Sequence, residues 1–214
     1  MKKLVIIGAG GFGREVAWQV LEQKSFCAQY QLIGFVDDND NLVGTCFNGL
    51  PILGTIDWLM EQEEPMAVMV AVGSAKIRKK IVDRCKKKKN LCFPAFIAND
   101  VALADTVEIG EGGIICRGNI LTVNITIGAF ALINLSCTIG HDVVMEDYVT
   151  LYPGVHVSGN VSIGKITEIG TGTNIIQGKA IGSHVIVGAG SVVIRDIEDD
   201  CTAVGVPARK VRHE

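Results

Sequence analysis

The chain has 214 residues, 48% hydrophobic and 20% charged, with a mean hydropathy of +0.34; this balance excludes a disordered chain and allows one large or two modest domains. A net charge of −3 and a pI near 5.8 leave no concentrated basic surface, so nucleic acid and anionic membrane surfaces are not expected as partners. No apolar run approaches the ~18 residues that span a bilayer, so no membrane insertion is expected.

Seven cysteines, odd in number, scattered and without a C-x-x-C, read as reduced thiols of a cytoplasmic protein. They offer no metal-ligand spacing, and neither do His141, His156, His184 and His213, so no metal is expected.

Residues 1–95 alternate short apolar runs with helical patterns, as a parallel α/β sheet demands. Strands are predicted over 4–7, 31–36 and 67–72, and helices over 14–23, 56–62 and 76–89, the last ending in the lysine run 86–89. This is a small Rossmann-like unit. Gly8, Gly10 and Gly13 form a G-x-G-x-x-G between the first strand and the first helix, where free N–H groups and a helix dipole suit a phosphate. Asp37 and Asp38 close the second strand, where a dinucleotide enzyme places an acid on a ribose, so NAD is one reading of the loop. Against it, residues 1–95 offer few strands for a nicotinamide half.

From residue 101 an aliphatic residue recurs at every sixth position, from Leu103 through Ile139 and Leu151 to Val193, sixteen times without an insertion. A small residue, often glycine, usually follows it. Such a hexad, one short strand and one corner, is the unit of a β-helix in which three hexads complete a triangular coil. Residues 96–197 are therefore expected to form about five coils. Residues 198–214, in which Pro207 breaks the pattern, are expected to fold back as a cap.

Among the histidines, His141 follows Ile139-Gly140 and so falls on an exposed corner rather than replacing a core aliphatic. That suits a general base. Asp142 follows it directly; because adjacent strand residues point oppositely, contact between the two needs a turn here or a carboxylate from a neighbouring subunit. Gly159 lies one full coil further along the chain, so it and His141 can stack.

Taken together, 8–16, 35–38, 71–73, 139–142, 159–164 and 204–208 resemble the left-handed β-helix acyltransferases, more narrowly the sialic acid O-acetyltransferase and UDP-4-amino-sugar N-acetyltransferase group. The resemblance implies a left hand for the helix and a direct acyl transfer from acetyl-CoA to a sugar amine or hydroxyl, without a covalent enzyme intermediate. It implies His141 as base, Asp142 as its orienting acid and Gly159 as oxyanion donor. Gly10, Gly11, Phe12, Asp37, Asp38 and Gly73 are then expected to line a nucleotide-sugar pocket, and Thr150, Thr171 and Ala189 to contact the acyl-CoA between subunits of a homotrimer.

Thr150 stands where relatives often carry a second histidine; His156, six residues on, either compensates or is an ordinary surface residue. Arg195, Arg209 and Lys210 are either partners for the CoA phosphates or solvated side chains. Two alternatives remain at this point: a non-catalytic trimeric scaffold sensing a nucleotide-sugar, and a zinc-dependent β-helix of the carbonic-anhydrase kind. The second needs three histidines meeting across subunits, and His141, His156 and His184 are not spaced by whole coils. Cys137, near His141, is a nucleophile to be tested.

Overall fold

A computed structural model describes residues 1–211 and divides the chain into two compact units: Met1–Gly73 with Ile77–Ala95, and Ser74–Lys76 with the residues from Phe96 onward. His213 lies outside the described residues.

The first unit is built on β1 (Lys2–Ile7), whose Leu4, Val5, Ile6 and Ile7 are sealed on both faces, as a central parallel strand requires. Around it come α1 (Gly11–Glu22), α2 (Lys24–Cys27), β2 (Tyr30–Val36), β3 (Cys46–Phe47), β4 (Leu50–Gly54), α3 (Ile56–Glu61), β5 (Met66–Val70), α4 (Ala75–Cys85) and β6 (Leu91–Cys92). The sheet order is β3-β4-β2-β1-β5-β6, parallel except for the antiparallel β3–β4 pair.

Helix α1 begins earlier than expected, at Gly11 rather than Arg14, because Gly10 already serves as its extended N-cap. Helix α4 ends at Cys85, so the lysines 86–89 fall in the turn beyond it. The β3–β4 hairpin was not expected. Its signal is Asn48-Gly49, whose φ values of 51° and 78° are those of a two-residue turn that suits the twist of paired strands.

The second unit is a three-faced parallel β-helix. The first face stacks Phe96–Ile97, Ile114–Ile115, Leu132–Ile133, Thr150–Leu151, Glu168–Ile169 and Ile186–Val187. The second stacks Ala102–Leu103, Ile120–Leu121, Thr138–Ile139, His156–Val157, Asn174–Ile175 and Val192–Val193. The third stacks Val107–Ile109, Ile125–Ile127, Val144–Met145, Ser162–Ile163 and Ala180–Ile181. Neighbours in each stack are one coil apart in sequence and pair in parallel, as Thr138 with His156 and Ile139 with Val157.

The second residue of these pairs points inward and forms a single core column from Ile115 to Val193, closed by Cys201. Leu103 departs from the expectation of a buried hexad residue: it is 39% exposed, because the first coil has no full coil beneath it. At the other end Thr202–Val204 extends the first face beside Ile186–Val187, and Arg209–Lys210 folds back antiparallel on it after Pro207.

Candidate active site

His141 stands on the corner between the second and third faces. The chain turns there because Asp142 adopts a left-handed φ of 59°, and that turn brings two adjacent side chains to the same side. His141 Nδ1 lies 2.8 Å from Asp142 Oδ2 within one chain, so no carboxylate from a neighbour is needed. Asp142 Oδ1 in turn accepts from Asn124 Nδ2 at 3.2 Å, and hydrogen bonding by His141 first, then Asn124, holds the Asp142 carboxyl below its ordinary pKa. Asn124 was not singled out from the sequence. Its position, one coil before Asp142, was the available signal.

With Nδ1 engaged, Nε2 is the atom left for a substrate. It lies over Gly159: a Cβ added there would stand 2.5 Å from His141 Cε1 and closer still to Nε2, so only glycine lets the imidazole occupy this place. Asn160 N–H donates to the His141 carbonyl at 2.8 Å, locking the two coils in register. The Gly159 N–H donates no hydrogen bond among the described residues, which keeps it available for an oxyanion.

Cys137 is no nucleophile. It is fully buried, its Sγ donates to the Tyr152 and Asn134 carbonyls, and burial pushes its thiol up to about 11.

The residues expected to contact acyl-CoA divide. Thr171 and Ala189 are exposed and stack one coil apart on the corner between the first and second faces, where Gly190 N–H donates to the Thr171 carbonyl at 2.8 Å. Thr150 is completely buried, like Phe96, Ile114 and Leu132 in the outward column of the same face. His156 is exposed on the second face, its Nδ1 2.8 Å from Thr138 Oγ1. Arg195, Arg209 and Lys210 share the lining of a cavity of about 210 Å³ at the last coil with Asp196 and Glu198, and Lys210 Nζ lies 3.6 Å from Glu198 Oε2.

In the first unit, the loops after β1, β2 and β5 meet, because these strands are neighbours and their carboxyl ends point one way. Gly13 is required by packing, since a Cβ there would collide with the Gly8 carbonyl. Gly10 and Gly11 meet nothing within 4 Å of an added Cβ, so their smallness serves no packing within the chain. Phe12, next to them, is half-buried.

Asp37 spends both oxygens on the backbone, accepting from Ala9 N at 2.8 Å and Asn39 N at 3.0 Å, and so shapes the glycine loop. Asp38 Oδ1 accepts from Ile56 N at 2.8 Å, at the start of α3. Buried Arg78 donates to the Gly73 and Val72 carbonyls at 2.9 and 2.7 Å and pins the loop after β5. A cavity of about 380 Å³ beside the loop is lined by Gly11, Arg14, Glu15, Trp18 and Asn48, with the Arg14 guanidinium 5.0 Å from the Phe47 ring centroid. Arg14, Trp18 and Asn48 had not been singled out.

A β-helix corner that presents an oriented imidazole above a free backbone N–H defines an acyltransferase site. The comparisons agree. Residues 3–85 match the PglD N-terminal domain family. GDP-perosamine N-acetyltransferase of Escherichia coli O157:H7 is 32% identical over 97% of this chain and 95% of its own. Among solved structures, WeeI from Acinetobacter baumannii AYE superposes with a TM-score of 0.89 at 35% identity, covering 99% of this chain and 100% of that one.

A histidine-to-asparagine variant of perosamine N-acetyltransferase from Caulobacter crescentus, in complex with CoA and GDP-perosamine, superposes at 0.88 with 27% identity over 100% and 98% of the two chains. The chain belongs to the hexapeptide-repeat sugar acetyltransferase family, and its β-helix has the expected left hand. No helix among the described residues is long and apolar enough to cross a membrane.

Proposed function

We infer that this chain is an acetyl-CoA-dependent acetyltransferase that N-acetylates an amino sugar carried on a nucleotide. The observation that carries the reading is His141 Nε2 held over Gly159 by the Asp142 contact to Nδ1. His141 accepts the proton as the acceptor amine bonds to the thioester carbonyl carbon. Gly159 N–H donates to the carbonyl oxygen as it gains charge, and Asp142 steadies the imidazolium. The C–S bond then breaks, the imidazolium returns its proton to the departing sulfur, and CoA leaves as its thiol. With Cys137 buried and its thiol raised, that thiol offers no covalent relay at this corner.

Gly10, Gly11 and Phe12, with the loop ends at Asp37, Asp38 and Gly73, are assigned to the nucleotide, where the open Gly10 and Gly11 let a phosphate approach the α1 backbone. The relatives that bind or act on GDP-perosamine make a GDP-linked 4-amino sugar the first acceptor to test. The sheet of the first unit supplies one mononucleotide half, which weighs against NAD. Seven free cysteines fit a reducing cytoplasm.

The working form is a homotrimer. His141 and Gly159 occupy one edge of the second face, and Thr171 and Ala189, assigned to the acyl donor, occupy the other. One chain therefore carries two half-sites that face apart. Turning the second face toward a three-fold axis sets the His141 edge of each chain beside the Thr171 edge of the next.

The test is thiol release from acetyl-CoA against GDP-, UDP- and dTDP-linked 4-amino sugars. Turnover with one of them that vanishes in His141→Ala, with the trimer intact by light scattering, supports the reading. Turnover that survives removes His141 from the chemistry. A trimer that binds nucleotide-sugar and never turns over would return the chain to a sensing scaffold.

A further inference from the structure

The outward column of the second face reads Ala102, Ile120, Thr138, His156, Asn174 and Val192, and carries no fixed charge. The third face carries Glu108 and the first carries Glu168 in the same columns. Ile120 is 49% exposed, and Ala102, His156 and Asn174 are exposed beside it. An uncharged, partly apolar strip fits a symmetry axis, where each residue meets its own copies and any fixed charge would be set against itself. His156 sits in the middle of this strip. Thr138 Oγ1, one coil away, lies 2.8 Å from its Nδ1, which orients the ring and leaves Nε2 for whatever faces it.

We propose that three His156 imidazoles, one from each chain, meet on the three-fold axis and bind a divalent transition-metal ion through Nε2. The inference rests on the trimer with its second face inward. Neutral imidazoles are borderline ligands suited to zinc, cobalt or nickel, and three of them plus water complete a tetrahedral site. A ligating histidine usually donates its far ring N–H to an acceptor, and Thr138 Oγ1 is placed to accept it from Nδ1. Within one chain no group of three or more His, Cys, Asp or Glu among the described residues could hold a metal. Symmetry supplies the other two ligands, and identical residues need no spacing match between different histidines. The ion would tie the subunits together and touch no reacting group.

The experiment uses tag-free, chelator-treated full-length protein titrated with Co²⁺, whose tetrahedral complexes absorb in the visible. Bands that saturate at one ion per three chains, with a raised unfolding temperature, are expected. His156→Gln should lose both effects while remaining a trimer by light scattering. A trimer that takes up no cobalt, or uptake unchanged in His156→Gln, overturns the site and leaves the assembly and acetyl transfer standing. A chain that is monomeric while still turning over overturns the site together with the assembly.

Discussion

His141 and Gly159, one coil apart, are fitted so closely that a single methyl group on the glycine would displace the imidazole. The contact explains why a glycine stands at this corner although its backbone is not left-handed, and together with the Asp142 hydrogen bond it sets the base beside a backbone donor.

Gly159→Ala is therefore expected to lower kcat by about 100-fold or more, the scale of a lost oxyanion donor or a misplaced base. The β-helix should persist, because the corner faces outward. Steady-state kinetics beside a thermal melt checks it; unchanged kcat would mean that the imidazole works elsewhere.

Asp142→Asn keeps the shape of the contact and removes its charge, and is expected to reduce kcat by about 100-fold, the low end of acid–base catalysis. Asn124→Ala, one step further out, should cost less. The sign of the pH effect follows from the lowered carboxyl: Asp142 stays ionised through neutral pH, and its favourable contacts are lost only as pH falls through a value below the usual ~3.9 for aspartate. Carbon-13 NMR of the Asp142 carboxyl should show no titration between about pH 5 and 8. A titration inside that window would contradict the hydrogen bonding described.

Cys137, with its thiol raised to about 11 and no exposed surface, should resist iodoacetamide at pH 8 while exposed Cys46 is alkylated. Cys137→Ala should retain acetyl transfer. Peptide mapping after labelling, together with the rate of the variant, tests both statements.

The glycines of the first unit should separate by role. Gly13→Ala forces a Cβ into the Gly8 carbonyl and is expected to destabilise the unit by several kcal/mol, about the scale of overpacking at its worst. Gly11→Ala meets no atom and should fold normally, yet raise KM for the nucleotide-sugar, because the methyl group would stand where the ligand approaches. Equal KM values in Gly11→Ala and the parent chain would move the nucleotide elsewhere.

Much of this was legible in the residues. A hexad register held from Leu103 to Val193 leaves the backbone little choice but a three-faced coil, since only that winding buries the aliphatics from Ile115 to Val193 together. The same register, counted in whole coils, places His141 beside Gly159 before any coordinate is known. The β3–β4 hairpin escaped because its strands are short, although Asn48-Gly49 marked it. The burial of Thr150 was not legible, because the hexad position says that a side chain points outward and does not say whether the outside is open.

Periodicity and local chemistry thus determined the coil, the exposed corner that carries His141 and the glycine loop before α1, since each depends on neighbours in sequence or on a fixed repeat. The left-handed turn at Asp142 that makes the His141 contact intrachain, the tie from Asn124, the commitment of both Asp37 oxygens to backbone and the sealing of Thr150 were decided only in three dimensions. Dihedral choice, hydrogen-bond partner and solvent exposure depend on atoms brought near by the whole fold, and no spacing along the chain encodes them.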